Sequence, residues 1–104
     1  MLVEITTFRL VAGAAGAAGA DEAAFLAANK RLQTEFIPNH PGFVRRTTAR
    51  SAAGDGGWAT ITLWGSAGQA DASAALAAGD AVVAEFNGFV DSASVVVHRY
   101  ETLD

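Results

Sequence analysis

Two histidines, two tryptophans, one tyrosine and an adjacent pair of arginines are the residues of this chain best equipped for chemistry. Histidine titrates near neutrality, so His98 is a candidate catalytic base, able to take a proton from a phenol or hydroquinone before oxygen attack. It lies beyond Val95-Val96-Val97 and shares a strand face with Val96 and Tyr100, a setting that favours a hydrogen-bonded core histidine; catalysis requires its ring to reach a cavity. His40, in Asn39-His40-Pro41-Gly42, occupies a turn, where exposure is usual and a role at a pocket mouth is open to it. Trp64 shares a face with Thr62, Thr60 and Trp58 and suits a pocket wall and core packing equally. Tyr100 can orient a substrate carbonyl or His98, or place its hydroxyl at a wet strand end. Arg45 and Arg46 point to opposite faces of a strand and cannot form one anion clamp. The edge position expected for that strand assigns Arg46 to discouraging unwanted pairing.

Other chemistries lack their residues. With no cysteine there is no disulfide and no thiolate metal site, and a zinc site would need carboxylates beside the two histidines. The sequence has no Gly-x-Ser-x-Gly elbow, no phosphate loop and no dinucleotide fingerprint; glycines 13, 16 and 19 have the wrong spacing. No bound cofactor is expected. A net charge of −4 without a basic stripe argues against a nucleic-acid partner. Glu4 and Arg9 interrupt any export signal, and no run approaches the ~20 apolar residues that span a bilayer, so the expected location is cytoplasmic and no membrane partner is expected.

The 104 residues suit one domain, 1–104, with one modest core. Leu2 to Val11 reads as a strand, and the Gly-Ala-Ala repeat from Gly13 to Ala20 as a flexible connection. Asp21 and Glu22 start a helix with Phe25, Leu32 and Phe36 on one stripe, ending near Phe36 before Pro38 and Pro41-Gly42. Phe43 to Arg50 and a run ending near Trp64 form a hairpin around Gly54-Asp55-Gly56-Gly57. Ser66 and Gln69 have capping-box spacing and open a second helix, whose apolar positions are Leu76, Val83 and Phe86. Gly79-Asp80 can divide that helix and Asn87-Gly88 ends it. Ser94 to about Glu101 is the last strand. Its three consecutive valines call for cover on both faces, which a lone sheet with helices on one side does not provide. A homodimer through sheet faces follows. The low charged fraction, 17%, agrees, although an alanine-rich chain buries little area per residue.

This strand-helix-strand-strand-helix-strand order, with Pro41-Gly42-Phe43 entering strand two, Trp64-Gly65-Ser66 leaving strand three and Ser94 to Tyr100 closing, resembles the dimeric α+β barrel superfamily, the ferredoxin-like group of antibiotic-biosynthesis monooxygenases and haem-degrading monooxygenases. The closing motifs look most like an uncharacterised bacterial branch. The resemblance implies an α+β fold, a four-stranded antiparallel sheet with two helices on one face, and a pocket between helices and sheet for a flat aromatic ligand. Trp64 matches the family tryptophan that lines this pocket, and Phe25 and Phe36 of helix one are expected to help hold the ligand. The implied activity is cofactor-independent oxidation of a phenolic or quinol-like compound. The alternatives are a noncatalytic ligand-binding or structural homodimer, and haem binding through His98 or His40 without degradation. Haem-degrading members place an asparagine in strand one and a histidine in helix two; here stand Thr6 and Thr7, and no helix-two histidine.

Overall fold

The computed structural model describes residues 1–11 and 20–104. Its elements are β1 (Leu2–Arg9), α1 (Ala20–Arg31), β2 (Phe43–Arg50), β3 (Gly57–Trp64), α2 (Ala67–Ala77), α3 (Ala81–Asn87) and β4 (Val96–Glu101). The strands form one antiparallel sheet in the order β2-β3-β1-β4. This is the expected ferredoxin-like α+β topology, with β2 and β4 at the edges.

Side-chain alternation sorts the sheet into two faces. Leu2 and Phe8 of β1 and Trp58, Thr60, Thr62 and Trp64 of β3 are buried beneath the helices. Pairing of Ile5 with Ile61 and His98, and of Val3 with Leu63 and Tyr100, puts those residues on the opposite face. The main core is aromatic: Phe25, fully buried, meets Trp58 edge-on at 5.0 Å and Phe8 at 5.9 Å, with Phe86 closing the cluster.

The first helix departs from its expected end. Regular α-helix stops at Arg31, Leu32–Phe36 widens into a π turn, and Ile37–Asn39 tightens into a 3-10 turn. Pro38 has no N–H to bond the carbonyl four residues back, and the Thr34 hydroxyl donates to the Lys30 carbonyl at 2.8 Å, so two local features unsettle the regular ladder. The capping box holds: Ser66 Oγ accepts from the Gln69 N–H at 3.1 Å. The expected break also occurs, at Gly79 (φ +90°) followed by Asp80, whose carboxylate caps α3 by accepting from the N–H groups of Val82 at 2.8 Å and Val83 at 3.1 Å. That break changes the helical phase, so Ala70 and Ser73 face inward on α2 while Leu76 is exposed. Gly42 (φ +84°) lies against the Gln69 side chain, where a Cβ would come within 2.1 Å of its amide oxygen.

Two strand boundaries need correction. β1 ends at Arg9, with one isolated Leu10–Val90 bridge beyond it, and β4 begins at Val96 after a 3-10 turn over Ser92–Ser94. The glycine-alanine connection falls almost wholly outside the described residues. Nor does one chain cover both faces of its closing strand: Val95, Val96 and Val97 are 39%, 48% and 51% exposed. β4 is an edge strand lying beyond the helices, which pack over the middle of the sheet.

Candidate functional site

A cavity of about 220 Å³ lies between the helical layer and the sheet. Its floor is the inward parity of three strands: Glu4 and Thr6 from β1, Arg46 from β2, and Thr60, Thr62 and Trp64 from β3. The π and 3-10 turns contribute Leu32, Phe36 and Ile37 to the roof. The inward face of α2 is Ala70, Ser73, Ala74 and Ala77, and α3 adds Val83, Phe86 and Asn87. Alanine in place of larger apolar residues on α2 leaves the volume unfilled.

The polar side chains of the lining are Glu4, Thr6, Arg46, Thr60, Thr62, Ser73 and Asn87, and of these Arg46, Thr60, Thr62 and Ser73 are buried. Trp64 is 4% exposed and packs edge-on against Phe43 at 5.8 Å. Its Nε1 is the one buried side-chain nitrogen or oxygen among the described residues without a hydrogen-bond partner. Arg46 is 8% exposed, and its Nη1 donates to Asn29 Oδ1 at 2.8 Å, Gln33 Oε1 at 3.1 Å and Thr48 Oγ1 at 3.2 Å. Burial pushes its pKa down to about 10. Glu4 accepts from Arg99 Nε at 2.8 Å, and Arg99 also binds Asp71 at 2.8 Å, so the wall carboxylate is already neutralised.

Of the residues singled out from sequence, Trp64 and Phe36 line the cavity. His40 stands directly behind its wall: Nδ1 is 2.6 Å from Ser73 Oγ, and the ring meets Phe36 edge-on at 4.3 Å. Phe25 does not line the cavity, because its position on α1 turns it into the aromatic core. His98 and Tyr100 are on the open face of the sheet, stacked on each other at 6.4 Å, with the sheet between them and the cavity. His98 is thus neither at this cavity nor a core residue within one chain. Arg46 also departs from expectation: an edge-strand arginine is turned under the helices rather than left in solvent. The signal for it was the hairpin register, which pairs Arg46 with Thr62 and so puts it on the Trp64 face. Ser73 and Glu4 carried no signal of their own.

Other hollows lie among the described residues, one of about 350 Å³ bordered by Met1, Leu2, Gly65, Ser66, Ala67 and Glu101. A second, of about 360 Å³, at the far end of the sheet, is bordered by Arg9, Arg50, Asp55 and Trp58, and Arg9 is already committed to the Asp55 carbonyl. Another, of about 380 Å³, is a depression on the open face formed by Val3, Arg45, Thr47, Ile61 and Leu63. None of the three is lined by a residue with a buried, unpaired side-chain polar atom; the cavity lined by Trp64 is.

No family model matches the chain, and no curated protein matches it. Solved structures do. SnoaB, a cofactor-independent oxygenase from Streptomyces nogalater, superposes with a TM-score of 0.74 at 16% identity, over 99% of this chain and 93% of that one. An antibiotic biosynthesis monooxygenase superposes at 0.71 and 15% identity over the whole of both chains. The chain has the antibiotic biosynthesis monooxygenase fold. A variant of MhuD, solved with two manganese protoporphyrin IX molecules per active site, shares this fold at a TM-score of 0.68 and 21% identity, over 99% of this chain and 95% of that one.

Haem does not fit the cavity found here. Among the described residues its lining contains no histidine, cysteine, methionine or tyrosine to supply an axial ligand. Among the described residues no group of three His, Cys, Asp or Glu is placed to hold a metal ion, and no helix is long and apolar enough to cross a membrane.

Proposed function

We propose that the cavity binds a small, flat aromatic compound of phenolic or quinol type, and that the bound compound reacts with dioxygen without a cofactor. The unpaired Trp64 indole N–H carries this reading. A buried donor without an acceptor costs about 1–3 kcal/mol, and a ligand oxygen beside Trp64 relieves it. Phe36, Phe86 and Val83 supply apolar walls for a ring, and the modest volume favours a compound of few rings. In the reaction, an electron-rich phenolate passes an electron to dioxygen and the two radicals join at a ring carbon bearing hydrogen. Loss of water then leaves one oxygen atom as a new carbonyl.

One observation favours a noncatalytic second reading: the cavity wall offers no free base, since Glu4 is held by Arg99. Oxygen uptake with a panel of anthrones and quinols separates the two. Substrate-dependent uptake that falls in Trp64→Phe supports oxygenation, whereas saturable binding without uptake supports the binding role.

In the same reading the chain acts as a homodimer joined through its open sheet faces. Val96, His98 and Tyr100, exposed in one chain, flank Val3, Ile5 and Ile61 there and supply a largely apolar contact surface. His98 then belongs to the subunit contact rather than to proton transfer.

A further inference from the structure

We propose that Arg46 is the anion-binding residue of this cavity, and that the ligand is held as its phenolate rather than as a neutral phenol. The inference rests on reading the cavity as a ligand site and adds the charge state of what it takes.

Arg46 differs from the arginines that pair with carboxylates, and from the exposed Arg9, which binds the Asp55 carbonyl, in being buried. Arg31, Arg50 and Arg99 each pair with a carboxylate at the surface, whereas the buried Arg46 has only neutral acceptors, Asn29, Gln33 and Thr48. All three lie on Nη1. A guanidinium has five N–H groups in a planar fork, so the three on Nε and Nη2 remain without a protein acceptor among the described residues. A strut that merely ties α1 to β2 needs neither a full charge nor three spare donors. Buried charges are normally paired, and leaving one unpaired is costly.

The charge has nowhere else to go. Among the described residues Glu4 is the only other charged residue on the cavity wall; it pairs with Arg99 and makes no ion pair with Arg46. The cation also lies 5.7 Å from the centre of the Phe86 ring, which helps to hold it at the apolar wall. An anionic oxygen entering the chamber therefore meets a largely buried guanidinium whose unpartnered Nε and Nη2 still reach accessible space, since Trp64 Nε1 alone is both sealed and unpartnered among the described residues, and charge-assisted hydrogen bonds to such a group are strong. The same cation favours loss of the ligand proton to bulk water before oxygen reacts. This supplies the activation that the missing wall base does not.

The test uses 4-nitrophenol, whose absorption reports its ionisation, and nitrobenzene as a neutral counterpart, each titrated into the wild-type protein below the solution pKa of the phenol. The expected result is that bound 4-nitrophenol shows the phenolate band. In Arg46→Met its affinity should fall about tenfold to a hundredfold with the band reverting to the neutral form, while nitrobenzene binds equally to both proteins. Arg46→Lys should retain the phenolate band with weaker binding, since it keeps the charge and loses the fork. Bound 4-nitrophenol that stays neutral in the wild type, a reading that needs no variant, overturns the role of Arg46 and leaves the cavity as a ligand site. A phenolate band that survives in Arg46→Met does the same. Failure of both probes to bind the wild type overturns the cavity reading as well.

Discussion

Trp64 and Arg46 sit on one wall, yet their removal should have different consequences. Trp64→Phe keeps most of the buried ring and deletes only the unpaired donor, so stability should change by no more than about 1 kcal/mol while affinity for a phenolic ligand falls about tenfold. Trp64→Ala should instead lose about 3–5 kcal/mol in a urea melt, because it empties a packed site. Arg46→Met should melt within about 1 kcal/mol of wild type or above it, since a buried cation without a carboxylate is replaced by an apolar side chain of similar length. A loss of several kcal/mol would mark Arg46 as a structural strut. Its pH dependence has a definite sign. The folded-state pKa of about 10 lies below the ordinary guanidinium value, so the folded protein releases this proton first, and the contribution of Arg46 to stability rises as pH increases through and above about 10. Wild type should therefore gain on Arg46→Met as pH is raised from neutrality to about 11 in paired melts. His98→Ala should leave ligand affinity unchanged, because the sheet separates that ring from the cavity.

The break between α2 and α3 sets the phase that turns Ala70 and Ser73 inward and Phe86 toward the core. Asp80 holds the start of α3 with two backbone N–H groups, so Asp80→Ala should cost about 1 kcal/mol in chemical denaturation and loosen the cavity roof. This break was legible in Gly79-Asp80, as were the hairpin turn and the Ser66 cap, because each depends on local backbone chemistry. The π turn at Leu32–Phe36 was not: its residues have ordinary helical spacing, and its cause lies downstream in Pro38 and in the Thr34 hydroxyl. The two main site misreadings share one origin. Alternation shows that Trp64 shares a face with Thr62 and that His98 shares one with Tyr100, but not which face the helices cover. Resolving that takes pairing across strands, Arg46 with Thr62 and His98 with Ile5, and it reverses the expected placement of both residues. Phe25 was misassigned differently: one helical stripe serves both core and cavity, and only the approach of Trp58 and Phe8 shows which part goes where.

For the molecule as a whole, the open sheet face is the feature a single chain leaves unfinished. Wild type should sediment as a dimer at micromolar concentration, and Ile61→Asp, which puts a charge at the middle of that face, should sediment as a monomer while keeping the same ligand affinity. Whether the chamber between helices and sheet takes the ligand is read from the two indole N–H signals of a ¹⁵N-labelled sample during titration with 1-naphthol, because Trp64 lines that chamber and Trp58 borders the hollow at the far end. A saturable shift of the Trp64 signal, with that of Trp58 unmoved, is the expected result. Movement of the Trp58 signal alone, or of neither, would contradict it.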